Sequence, residues 1–133
     1  MADTVATQTL SHGSRNVIMR FTNTSDGTGE SAVTKVTASA LAQAPDAAPS
    51  HLKISKIRYQ TKGMGLRILW DATTPLLALE FPANSVDQLD FGDIGLVNSA
   101  KGTGGFNGNI KFTTVGAALN SSYEVTLHMT KKF

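Results

Sequence analysis

Apolar and polar residues alternate with a period of two along most of this chain. Val17, Met19 and Phe21 alternate with Ile18, Arg20 and Thr22. Leu66, Ile68 and Trp70 alternate with Arg67, Leu69 and Asp71, and Leu77, Leu79 and Phe81 with Leu76, Ala78 and Glu80. The cleanest run is the last, where Tyr123, Val125, Leu127 and Met129 face Glu124, Thr126, His128 and Thr130. Strict alternation marks strands buried on one side only. Leu52 to Thr61 is also strand-like, but its apolar set changes face. Leu52 and Ile54 share one parity and Ile57 and Tyr59 the other, which predicts a β-bulge near Ser55 or Lys56. Weaker strands are predicted over Thr4 to Leu10, Ser31 to Ala38, Ile110 to Thr113 and Gln88 to Phe91.

The connectors have turn chemistry. Asn23 to Gly29 is polar and glycine-rich, and Ala40 to Ser50 contains Pro45 and Pro49. A short helix is plausible only over Ala38 to Ala44, where Pro45 would end it. Asn98 to Asn109 holds four glycines and reads as a long loop of the kind that often carries function. Many short strands separated by turns predict an all-β fold. The expected form is a two-sheet antiparallel sandwich, jelly-roll-like, with eight or nine strands. An immunoglobulin-like sandwich is the alternative, but the Cys…Trp…Cys spacing of true immunoglobulin domains is missing.

The 133 residues suffice for one domain, which can bury about two-thirds of the surface its unfolded chain exposes. We divide it into an N-terminal arm, residues 1–14, and a single β-sandwich over 15–133. There is no cysteine, so a disulfide framework, a thiolate zinc site and a thiol nucleophile are all excluded. That absence also favours folding in a reducing cytoplasm. The start has no basic region leading into an apolar run, which argues against a signal peptide. No apolar stretch approaches about 18 residues, so no membrane partner is expected. The net charge of +2 is too small to argue for nucleic acid. The charges are nevertheless uneven. Residues 1–70 carry eight Lys/Arg against four acids, whereas 71–100 carry Asp71, Glu80, Asp87, Asp90 and Asp93 with no base. Such a division suits either solvated faces on different strands or a bipolar surface that docks basic side to acidic side.

Reactive constellations are not legible. His12, His51 and His128 share no metal-ligand spacing. Asp90-Phe91-Gly92 spells the kinase magnesium motif without the other segments that give it a role. Asp87, Asp90 and Asp93 lack the calcium-loop pattern. Gly102 to Gly108 lacks the Lys-Ser/Thr of a phosphate loop, and there is no G-x-S-x-G elbow. Glu80 and Glu124 sit on the polar parity of their strands, where solvated glutamates belong. The expectation is a chain with no catalytic residues, no metal and no cofactor. Two aromatics stand apart from the core pattern. Phe106 lies in the glycine loop and Phe133 follows Lys131-Lys132, so both are candidate anchors into a partner.

Four segments resemble small virion proteins of tailed bacteriophages: Ser14 to Glu30, Leu69-Trp70-Asp71-Ala72-Thr73-Thr74-Pro75, Lys111-Phe112-Thr113-Thr114 and the Lys131-Lys132-Phe133 ending. The pattern, which extends over most of the chain, is similar to that of jelly-roll cement (decoration) proteins on the outside of capsids. The resemblance implies a non-enzymatic structural protein, made in the host cytoplasm and carried on the capsid exterior. It implies a homodimer or homotrimer that bridges neighbouring copies of the phage major capsid protein. Arg15, Phe106, Lys131, Lys132 and Phe133 are the interface candidates.

Other readings remain distinguishable. A tail, fibre or baseplate β module would be a stable oligomer without capsid affinity. A carbohydrate-binding jelly roll needs exposed aromatic platforms, yet Trp70 and Tyr59 fall on core parity. The coat protein of a single-stranded RNA phage would end in helices, whereas this chain ends in its best strand. An enzyme would need a converging reactive cluster.

Overall fold

The computed structural model describes residues 4–13, 15–27, 29–41, 49, 51–73, 75–92, 95–96, 104 and 108–132. These residues form nine strands and a single 3-10 turn, Ala38–Ala40. The strands are β1 (Thr4–His12), β2 (Asn16–Asp26), β3 (Val33–Val36), β4 (His51–Lys62), β5 (Gly65–Trp70), β6 (Leu76–Phe81), β7 (Val86–Asp90), β8 (Ile110–Val115) and β9 (Leu119–Lys132). They make two antiparallel sheets, ordered β1-β2-β9-β4-β7 and β3-β8-β5-β6.

The pairings nest. β5 pairs with β6, β4 with β7, β3 with β8 and β2 with β9. Folding such a nested hairpin over on itself produces the eight-stranded, two-sheet jelly roll. β1 is an additional strand laid antiparallel along β2. The segment 1–14 expected as an arm therefore contributes an edge strand over Thr4–His12. It keeps an arm's character in one respect, since no residue of β1 belongs to the core.

Alternation on the strands sets which residues fill the space between the sheets. β9 lies between β2 and β4, and its burial alternates without interruption from Ser121 to Lys132. The larger sheet contributes Val17, Met19, Phe21, Ile57, Tyr59, Val125 and Leu127, and the smaller sheet Leu66, Ile68, Trp70, Ile110 and Phe112. Three aromatic contacts join the two layers. Phe21 meets Phe112 edge-on at 5.1 Å, Tyr123 meets Phe112 at 5.9 Å, and Tyr59 stacks on Phe81 at 3.9 Å. Such pairs add about 0.5–1.5 kcal/mol each beyond area burial.

The predicted bulge is present. The β4–β9 register shifts between Ile54 and Lys56, leaving Ser55 as the extra residue. Its hydroxyl donates to the His128 carbonyl at 3.0 Å, and its own carbonyl accepts from Phe91 N–H at 2.9 Å.

Two expectations change. Asn23 to Asp26, read as part of a loop, continue β2. Asn23 and Ser25 hold the buried parity of that strand, so polar side chains there conceal its length. On β6, Leu77 does not share a face with Leu79 and Phe81. The β5–β6 register shifts between Ile68 and Leu69, which turns Leu77 outward at 52% exposure.

Candidate docking surface

Two open sheets present four edges: β1 and β7 on one, β3 and β6 on the other. An unpaired edge is a template for another strand, and proteins usually blunt it with charge, proline, bulges or brevity. β3 is four residues long and its pairing is interrupted between Thr34 and Val36. β6 carries Glu80, follows Pro75 and stops before Pro82. β7 is five residues long and carries Asp87 and Asp90. β1 is different. Its nine residues, Thr-Val-Ala-Thr-Gln-Thr-Leu-Ser-His, include no acid, lysine, arginine or proline, and Val5 and Leu10 are about half exposed. Its one defence is a register shift between Thr9 and Ser11.

The expected interface residues divide. Arg15, Lys131 and Lys132 come together where the β1–β2 turn meets the end of β9, lining with Thr130 a shallow cavity of about 300 Å³. Lys131 N–H donates to the Arg15 carbonyl at 2.6 Å. Arg15 is exposed and Lys132 half-buried. Lys131, expected at the surface, is only 4% exposed. It continues the inward parity of Val125, Leu127 and Met129, so its side chain enters the sandwich end. There its ammonium donates to the Gly13 carbonyl and to His12 Nε2, both at 2.7 Å. The same ring nitrogen lies 3.3 Å from the Leu41 carbonyl. Lys131 thus clamps the β1–β2 turn onto β9. The alternation itself signals this placement, since position 131 follows 129 on the core face. Phe106 and Phe133 lie outside the described residues.

The charge division along the sequence does not survive folding. Asp71 pairs with Lys111 at 3.3 Å and Glu80 with Arg67 at 3.1 Å. Asp90 lies directly across from Lys56 in the β4–β7 ladder. Asp93 is outside the described residues. On the outer face of the larger sheet, Arg20 pairs with Glu124 at 3.1 Å. Basic and acidic strands are neighbours, so the described residues present no bipolar surface. His128 sits on this face between Ile18 and Lys56. Partial burial, and then the Lys56 charge, lower its pKa below the ordinary histidine value.

The interior ionic cluster is closed. Glu30 and Lys35 pair at 2.5 Å with side chains 6% and 7% exposed. The other Glu30 oxygen accepts from Tyr123 OH at 2.5 Å and from Asn23 Nδ2 at 2.8 Å. Glu30 N–H donates to Thr114 Oγ1 at 2.7 Å, and its carbonyl accepts from Thr114 N–H at 3.0 Å. This cluster ties the β2–β3 connection to β8 and β9. Sequence reasoning missed it, because a Glu in a glycine-rich stretch carries no periodic signal.

Among the described residues, no three His, Cys, Asp or Glu side chains converge as a metal site. A second depression, about 230 Å³, is lined by Thr22, Thr24, Gln60, Ser122 and Glu124 among others, and its carboxylate is the one engaged by Arg20. Trp70, Tyr59, Phe21, Phe81, Phe112 and Tyr123 are buried, so none of these six offers a platform for a sugar, and Phe91 is half-buried. No helix among these residues is long and apolar enough to cross a membrane.

No protein-family profile matches the chain, and no curated protein matches it. Among solved structures it is similar to a cupin superfamily protein from Desulfitobacterium hafniense, at 11% identity and a TM-score of 0.36. That alignment covers 100% of this chain and 82% of the other. The likeness is too distant to bear on function.

Proposed function

We propose that this chain is a structural virion protein of a tailed bacteriophage, one that binds the outside of the capsid, bridges neighbouring major capsid subunits and catalyses no reaction. The observation that carries the reading is how the buried ionic groups are used. Glu30, Lys35, Asp71 and Lys131 are each taken up by a structural partner within the fold. The chemistry left on offer is that of edges, exposed strand faces and the Arg15–Lys132 end of the sandwich. The resemblance of Ser14 to Glu30 and of the Lys131-Lys132-Phe133 ending to cement proteins supplies the partner.

The role follows from mechanics. A shell under pressure from packaged DNA fails at contacts between capsomers. A stiff domain spanning those contacts adds buried area at each junction, and closed symmetry repeats the gain over the whole shell. Co-sedimentation with capsids stripped of their decoration tests this. Saturable pelleting of the protein with capsids is expected. A soluble oligomer left in the supernatant at every capsid concentration would contradict it and favour a tail or fibre module.

A further inference from the structure

We propose that β1 pairs antiparallel with the β1 of a second copy, joining the two five-stranded sheets into one ten-stranded sheet across a two-fold axis. This pairing does not depend on capsid binding, so the two fail or succeed in separate experiments.

Three observations point to a second copy as the occupant. First, β1 is the only one of the four edge strands whose own residues include no Asp, Glu, Lys, Arg or Pro, and it is nine residues long. An isologous contact places the same strand opposite itself, so any charge on β1 would be repeated across the axis; none of its nine residues is an acid, lysine or arginine. Second, the nearest fixed charge on the adjoining strand is Arg20, opposite Gln8. Across the two-fold, the two Arg20 side chains would stand three strand spacings apart, about 14 Å. That exceeds the Debye length of about 8 Å at physiological salt, so like-charge repulsion is screened. Third, β1 reaches beyond the cover of the smaller sheet. Val5 and Thr7 lie opposite the inward-facing Asn23 and Phe21, yet both are exposed. A paired copy would extend this ledge and cover part of it.

The register is constrained too. With a two-fold axis perpendicular to the sheet, residues directly opposite must share parity. The uninterrupted β1–β2 ladder runs from Thr4 to Thr9, and centring on Thr7 keeps the new pairs within it. Thr7 then faces Thr7 of the second copy, Val5 faces Thr9, and Ala6 faces Gln8. Cross-strand threonine pairs and β-branched neighbours favour a ladder. One strand edge buries less than the roughly 1,600 Å² of a standard interface, so the dimer is expected in the micromolar range of affinity.

The absence of cysteine makes the test clean. Directly opposed residues lie about 4.5–5.5 Å apart at Cα, within disulfide reach. Thr7→Cys is therefore expected to cross-link rapidly under mild oxidation. Val5→Cys, whose two copies would stand about 14 Å apart, is expected not to. Sedimentation velocity on the unmodified chain should show a concentration-dependent monomer–dimer equilibrium. Thr7→Lys, at an exposed position, should raise the dissociation constant at least tenfold while leaving unchanged the melting temperature measured at low concentration, where both chains are monomers. A chain that stays monomeric at hundreds of micromolar overturns the proposal. So does an oligomer insensitive to Thr7→Lys, or equal cross-linking of the Thr7→Cys and Val5→Cys variants.

Discussion

Lys35 and Glu30 show how a single buried contact organises an end of the molecule. Each side chain is nearly sealed from solvent, and the carboxylate also receives Tyr123 and Asn23. Removing one ion of a buried pair strands the other, which typically costs about 3–5 kcal/mol. Lys35→Met is therefore expected to lower unfolding stability by about that much in urea titration, and a loss under 1 kcal/mol would mean the cluster is hydrated. Trp70, 1% exposed, is expected to cost about 3–5 kcal/mol on replacement by alanine. A near-neutral Trp70→Ala would reopen a surface role for that ring. His128 contributes a pH dependence. Its pKa is lowered on folding, so the unfolded chain binds the proton more readily. Its contribution is complete above the unfolded value near 6.5 and is lost as the pH falls through the lower folded value. Denaturation midpoints measured from pH 5 to 8 should fall on the acid side in the parent more than in His128→Gln. Lys131 reads as a surface residue, although core parity continues through it to its 4% exposed position; Glu30 gives no signal, because its partners come from distant strands.

The strands themselves were largely legible, and the reasons are local. β9 alternates cleanly because a central strand is flanked on both edges and covered on one face. The bulge at Ser55 announced itself by the change of apolar face between Ile54 and Ile57. The register of β6 was hidden, because Leu76, Leu77, Ala78 and Leu79 are all apolar and leave no contrast to read. β1 was visible as a weak strand, but not its place at the sheet edge. Since the nested eight strands and the whole core lie outside it, removing residues 1–14 is expected to leave a folded sandwich. The loss would uncover Lys131, which now donates to Gly13 and His12, and lower the melting temperature by several degrees. Circular dichroism melts check the fold, and the occupancy of capsids by the truncated chain should drop. Full occupancy would remove β1 from the attachment surface.

At the scale of the whole molecule, the described residues form a nine-stranded jelly roll with an aromatic-bridged interior and ionic groups turned to structural use. Topology was legible as a class, since many short alternating strands leave few two-sheet solutions. The nesting of β2 to β9 was not, because pairing partners in an antiparallel sandwich are far apart in sequence. The division of charge along the chain does not carry over into space for the same reason: β4 and β7 are neighbours, so their bases and acids interleave. The proposed capsid contact is a claim about surface. Electron microscopy of stripped capsids incubated with the purified chain addresses it directly. The account predicts added density of sandwich size at regular positions on the outer shell, spanning contacts between capsomers. Bare capsids at saturating protein, with the chain intact and folded in solution, would contradict it.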